Sequence, residues 1–213
     1  MSNWDANGSQ LDKNLTGILA YVSRHARHRP KPTLEDALKW HEDLMHGLEI
    51  PSKDCPPGIA AADMVGRFRG IAPLGMLQVE IGDYFGVRAD LVPAQLKVFE
   101  QELRRRVDLL DAQINPRLQI GSRFTTGKQL NDILKLCAWV HAEWIRIHPF
   151  ANGNGRTARI WANYIAIRYG LQPFVQLRPR PGPAYEAAAA AAMEGYWERT
   201  YWVFLRMYAE YNK

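Results

Sequence analysis

A chain of 213 residues, 47% hydrophobic and 23% charged, can bury one sizeable core and is short for two. No run approaches the roughly 20 apolar residues needed to span a bilayer. The opening Met1-Ser-Asn-Trp-Asp-Ala-Asn7 lacks the basic-then-apolar order of a signal peptide. Two cysteines, Cys55 and Cys137, stand far apart without a CxxC partner, which excludes a disulfide scaffold and a thiolate zinc site. A reducing cytoplasm is the expected compartment. The net charge of +5 is concentrated in basic runs at residues 24–31, 104–106 and 178–180. Such runs read first as solvated faces, and second as attraction for a nucleotide or an acidic protein surface. Zinc-finger spacing and the aromatic-basic signature of an RNA-binding sheet are both absent, so no nucleic-acid partner is expected.

In chain order, Ser9-Gln-Leu-Asp12 reads as a capping box that opens a helix to about Arg27, with an apolar stripe of Leu11, Leu15, Ile18, Leu19 and Val22. Prolines at 30 and 32 break it. Thr33-Leu-Glu-Asp36 caps a second helix that ends at Gly47, and residues 51–70, rich in Pro and Gly, read as loop. Met76-Leu-Gln-Val-Glu-Ile81 alternates between two glycines and is the β signal of the chain. Pro93 starts a helix with stripe Leu96, Phe99, Leu103, Val107, Leu110 and Ile114. Thr126 caps another, which runs through Leu134, Cys137, His141 and Trp144 to His148. Helices are then expected over 154–169, 184–193 and 196–211. The fold class is mainly α with one small β-hairpin. Residues 1–32 form an N-terminal helix and linker packed on the core, and 33–213 form the main domain.

Chemistry concentrates in His148-Pro-Phe-Ala-Asn-Gly-Asn-Gly-Arg-Thr-Ala-Arg159. A hydrophobic helix ends, a turn with Gly153 and Gly155 follows, and a new helix starts. Glycines let the backbone approach a ligand closely, and the first N–H groups of a helix are free to meet an anion. Arg156 and Arg159 share a face of that first turn. Cations there oppose the helix dipole by about 0.3–1 kcal/mol each, and no Asp or Glu in the turn offsets them. A bound phosphate would, because guanidinium forks match its oxygens. His148, at the mouth of the turn, has the chemistry of a general base. His141, on the same stripe, reads as a packed core residue, and Phe150 as the anchor of the turn.

This segment resembles the signature of the Fic (filamentation induced by cAMP) family, HxFx[D/E]GNGRxxR. Residues 33–47, Gly66-Arg-Phe-Arg69 and Met76–Ile81 are similar to that family's early helix and hairpin flap, and the likeness extends over about 33–211. The resemblance implies a Fic-like helical domain acting as a bacterial, cytoplasmic protein adenylyltransferase, or one delivered into another cell. It would transfer AMP from ATP to a Ser, Thr or Tyr hydroxyl of a target protein. It implies that His148 is the catalytic base and that Gly153, Asn154 and Gly155 form the anion hole. Arg156 and Arg159 would hold the β- and γ-phosphates, with Tyr185 toward adenine and magnesium as a cofactor beside ATP. Target docking would follow strand addition along the flap at Val79 and Ile81.

Asn152 departs from the motif, where an Asp or Glu holds magnesium; an amide oxygen can ligate a hard cation but brings no charge. Three readings therefore stand: adenylyl transfer, transfer of another phospho-group, and a degenerate nucleotide-binding module. The intact Gly153–Arg156 run argues against the family's phosphoryl-transfer variant, which resembles ANKR there. Ala190-Ala-Ala-Met-Glu-Gly195 only partly resembles the family's inhibitory [S/T]xxxE[G/N] string. Restraint by a separate antitoxin, in a toxin–antitoxin pair, is accordingly the form of regulation left open.

Overall fold

The computed structural model describes residues 8–28, 30–114 and 127–213. Among them are seven helices: α1 (Gly8–Arg27), α2 (Leu34–Met45), α3 (Val92–Gln113), α4 (Gly127–Ile147), α5 (Asn154–Arg168), α6 (Pro183–Met193) and α7 (Glu198–Tyr211). One antiparallel hairpin, β1 (Glu80–Ile81) with β2 (Tyr84–Phe85), completes the regular structure. The expected mainly α class with a single hairpin is observed. No described helix is long and apolar enough to cross a membrane.

Helices α4 and α5 form the centre: most of α4 from Ile133 on and nearly all of α5 are buried, the polar Asn154, Arg159, Asn163 and Arg168 of α5 included. Helices α1 and α2 cover α5 on one side. Helices α3, α6 and α7 pack around α4. The interior is rich in aromatics: Trp161 meets Trp40 at 4.9 Å and Trp144 at 5.5 Å between ring centroids. Helix α1 buries Leu11, Leu15, Ile18, Val22 and Ala26, one stripe at helical spacing. Asn14 donates from it to the carbonyls of Leu44 and His46, which ties α1 to the end of α2.

Three local expectations change. Helix α1 is already under way at Gly8, so Ser9 lies inside it rather than capping it; the cap expected at Thr126 lies outside the described residues. The box at Thr33 is present, with Asp36 N–H on Thr33 Oγ1 and Thr33 N–H on Asp36 Oδ2. The strand is far shorter than the alternating run 76–81. Leu77 closes a turn onto the Leu74 carbonyl, and its own carbonyl accepts from Arg69 Nη1 at 2.9 Å, so residues 76–78 bend toward the core. Residues 51–70 hold two short 3-10 turns, Ser52–Asp54 and Ala61–Met64, within the expected loop.

Candidate active site

Helix α4 ends because Pro149 cannot continue it and disfavours helical backbone at the residue before. That residue, His148, takes φ 53, the sole positive φ outside glycine among the described residues. Left-handed backbone costs a non-glycine residue about 1 kcal/mol or more and persists where the surroundings enforce it. The imidazole then turns back on its own helix: Nδ1 lies 3.0 Å from the Ile145 carbonyl. A carbonyl can only accept, so Nδ1 carries the proton and Nε2 keeps the lone pair. Burial pulls His148 down to about 4, and the Arg69 charge adds to that shift.

The glycine turn is gripped from beneath. Phe150 is fully buried and stacks on His41 at 3.8 Å, so the expected anchor is in place. His41 Nδ1 accepts from Gly66 N–H at 2.9 Å, which leaves Nε2–H to donate to the Asn152 carbonyl at 3.1 Å. Burial lowers His41 to about 4, so it stays neutral at physiological pH. Gly153 has φ 75, and a Cβ there would sit 3.2 Å from His41 Nε2 and from Leu44. Both facts require glycine at this position. Asn154 begins α5, and its side chain closes a ring on Phe150, accepting from the N–H and donating to the carbonyl, each at 2.9 Å. The Asn154 side chain is thus spent on the turn, and its main-chain N–H is what can face a ligand.

His148, Asn152, Gly153, Asn154, Gly155, Arg156, Arg159 and Tyr185 all line one cavity of about 560 Å³. The twelve-residue segment therefore converges as its spacing suggests. Arg159 is buried; Nη2 donates to the Leu177 carbonyl at 3.0 Å and Nη1 to the Tyr185 hydroxyl at 3.2 Å. Tyr185 in turn meets His141 Nε2 at 2.7 Å. His141 is fully buried and lowered to about 3 by burial, as a packed core histidine should be. Tyr185 is thus committed to Arg159 and His141 through its hydroxyl, with its ring left to the cavity wall.

Sequence reasoning missed other lining residues. Arg178 and Arg180, read as part of a solvated run, line this cavity, as do Asp83 and Tyr84 of the hairpin and Glu186, Ala189, Ala190 and Met193 of α6. Residues 186, 189, 190 and 193 stand three, four and seven apart, a helical face that could have been seen had alanines carried any signal. Asn163, buried in α5, exchanges two hydrogen bonds with Val175 and so holds the 171–182 segment against the cavity.

The donor set does not suit a metal held by the protein. Asn152 Oδ1 accepts from the Gly153 N–H at 2.5 Å. The carboxylates lining the cavity are Asp83 and Glu186, the latter paired with Arg180 at 3.5 Å. No group of three or more His, Cys, Asp or Glu among the described residues could hold a metal ion. Asn152 alone would offer a magnesium ion one neutral oxygen that is already engaged.

The hairpin reaches over the cavity through Ile81, Gly82, Asp83 and Tyr84. Its register pairs Glu80 with Phe85 and Ile81 with Tyr84, and Gly86 N–H donates to the Val79 carbonyl at 3.0 Å. Pairs in an antiparallel ladder alternate between bonded and unbonded. Val79 and Ile81 therefore spend their main-chain groups inside the hairpin, and Glu80 presents its N–H and C=O outward. On β1, Glu80 rather than Val79 or Ile81 thus offers main-chain groups to a further strand, while Val79 is buried and Ile81 lines the cavity. On the other edge, β2 rests on the end of α6, where Tyr84 bonds Glu194. The glutamate of the inhibitory-like string is thus a flap contact.

Comparison with known proteins agrees with this geometry. A search of curated proteins finds the protein adenylyltransferase Fic of Aedes aegypti, 40% identical over 42 residues, 20% of this chain and 8% of that protein. It also finds protein adenylyltransferase fic-1 of Caenorhabditis elegans, 41% identical over 44 residues, 21% of this chain and 9% of that protein. The matches thus span under a tenth of those relatives' length. Among solved structures, a Fic domain containing signaling protein from Bacteroides thetaiotaomicron superposes with TM-score 0.57 at 17% identity, over 94% of this chain and 69% of that one. BepC from Bartonella tribocorum, with bound AMPPNP, gives 0.55 at 16% identity over 92% and 85%. Identity at this level speaks for the fold. The Fic/DOC family model matches residues 31–166, which include α2, the flap, the His148 turn and most of α5, and the chain belongs to the Fic/DOC family.

Proposed function

We propose that this protein transfers the AMP moiety of ATP to a hydroxyl of a target protein. The observation that carries this is the pairing of His148 with the helix start: a neutral imidazole with its lone pair on Nε2 lines the same cavity as the N–H groups and arginines of α5. The reading is supported by the family and by short matches to adenylyltransferases, one of the structural neighbours being seen with AMPPNP.

The β- and γ-phosphates lie on the N–H groups of 154 and 155 and on Arg156 and Arg159, a nest that favours charge transferred in the transition state. The base lies along the α6 wall of Glu186, Ala189, Ala190 and Met193. The target hydroxyl gives its proton to His148 Nε2 as its oxygen bonds to the α-phosphorus. The bond from that phosphorus to the bridging oxygen breaks, and pyrophosphate leaves with the electron pair. A pKa of about 4 makes a weak base of the empty site, and the triphosphate's negative charge raises it toward neutrality when it binds.

Incubation with a cell lysate and ATP labelled at the α- or γ-phosphate tests the reading. Protein labelled from the α position only is expected. Label from γ would mean phosphoryl transfer, and none from either would leave a binding module or another donor.

Two substitutions probe its parts. Glu80→Pro should stop target modification while ATP affinity persists, because proline removes the outward N–H that an added strand needs and spares the bonds inside the hairpin. Glu80→Ala, which keeps the N–H, should be near wild type in initial rate. A loss shared by both variants would mean that docking uses the side chain.

Asn152→Asp is nearly isosteric and supplies a charged oxygen for magnesium. Titration calorimetry with magnesium and a non-hydrolysable ATP analogue should show metal affinity rising by about tenfold, with faster transfer at low magnesium. A variant slower at every magnesium concentration would favour a site shaped for a different donor, where the added charge repels phosphate.

A further inference from the structure

Helix α4 leaves its last carbonyls without partners inside the helix, at the end where the dipole favours a cation. Arg69 fills that position. It is fully buried, and its Nε donates to the His148 carbonyl at 2.8 Å while Nη2 donates to that of Ile147 at 3.2 Å. Its main-chain N–H donates to the Pro149 carbonyl at 2.7 Å. The same guanidinium reaches the flap: Nη1 donates to Leu77 and Nη2 to Val87, both at 2.9 Å. Leu77 and Val87 lie on the two sides of the hairpin, one before β1 and one after β2.

One planar cation thus holds the backbone of His148 and both stems of the flap. Its acceptors are main-chain carbonyls drawn from three segments: the end of α4, the chain before β1 and the chain after β2. A lysine, with three donors on a point charge, cannot reproduce a fork of this reach. Gly86 presses the arrangement from the flap side: a Cβ there would fall 2.8 Å from His148 Cβ and 2.9 Å from Arg69 Nη2. Flap, guanidinium and the His148 backbone thus pack against one another.

We propose that Arg69 is a positioning residue that couples the flap, where a target strand docks, to the backbone geometry and tautomer of His148. Arg69 touches neither donor nor acceptor; it acts through His148. The strained φ of 53 at His148 is what it enforces, and release of that φ frees the imidazole from the Ile145 carbonyl. The inference rests on His148 being the base of the proposed transfer. The other charged groups lining the cavity with His148 are Arg156, Arg159, Arg178, Arg180, Asp83 and Glu186.

The test is NMR of the His148 imidazole nitrogens, which needs no substrate and stands whether or not transfer is observed. In the wild type the ring should be protonated at Nδ1 alone and should titrate near 4. In Arg69→Lys, which keeps the charge, the two tautomers should mix and the titration should move toward the free value of about 6.5. Where transfer is measurable, kcat should fall by at least about tenfold with ATP affinity within about twofold. Arg69→Gln, which keeps an amide donor without the fork, should shift the same His148 signals and decides the matter if Arg69→Lys does not fold. A purely structural arginine would lower the melting temperature and leave the folded His148 spectrum unchanged. Unchanged tautomer and titration in the folded variants would overturn the proposal.

Discussion

His148→Ala should lose about 10²–10⁴-fold in transfer rate while binding ATP as before. The triphosphate contacts proposed here come from main-chain N–H groups and arginines, none of which His148 supports by a side-chain bond, so only the proton transfer is removed. Calorimetric titration and initial rates on the same preparation separate the two. A variant with near-wild-type transfer would remove the base from the mechanism. The wild type adds a pH signature. A base must be neutral to act, and burial holds His148 at about 4, so kcat/KM should stay level through the mildly acidic range and fall only as pH approaches that value. With triphosphate bound, its charge raises the imidazole pKa, so kcat should fall at a higher pH than kcat/KM does.

Arg156→Ala and Arg159→Ala should both weaken ATP binding, by about 10–100-fold for the loss of charge-assisted bonds worth roughly 1.5–3 kcal/mol. They should differ in stability. Arg156 is half-buried at the cavity edge, and its removal should lower the melting temperature less than that of the buried Arg159. Arg159 is buried and satisfies the Leu177 carbonyl; its loss orphans that carbonyl, at about 1–3 kcal/mol for a buried group, and leaves the Tyr185 hydroxyl with His141 alone. Thermal unfolding of the two variants checks this. Unchanged ATP affinity in both would withdraw the triphosphate from these arginines.

The parts of this molecule that could be read in the sequence are those governed by short spacing. Apolar periodicity located α3 and α4 because each buries a face or more, and glycines with adjacent arginines marked the turn that starts α5 because few other structures tolerate that combination. Partners distant in sequence stayed hidden. His41 reads as one more residue on the α2 stripe, and only folding places it 3.1 Å from the Asn152 carbonyl. Arg178 and Arg180 read as a surface run, since nothing local reveals that Asn163 draws their segment back over the cavity. The flap failed differently. Alternation from 76 to 81 suggested a full strand, but the buried fork of Arg69 claims the Leu77 carbonyl, and the tertiary contact outweighs the local pattern. The side chain of Asn154 belongs to the same class: its residue type suits an anion, and the bond it makes is to Phe150.

The central claim is an orientation: the α-phosphate faces His148 while the outer phosphates rest on the start of α5. A crystal structure with an ATP analogue that resists cleavage between the α- and β-phosphates tests it most directly. The account predicts the β- and γ-phosphates on the N–H groups of 154 and 155 and on Arg156 and Arg159. The α-phosphorus should then stand opposite Nε2, with room for one hydroxyl oxygen between them. A γ-phosphate at Nε2, or a triphosphate bound away from the helix start, would contradict it.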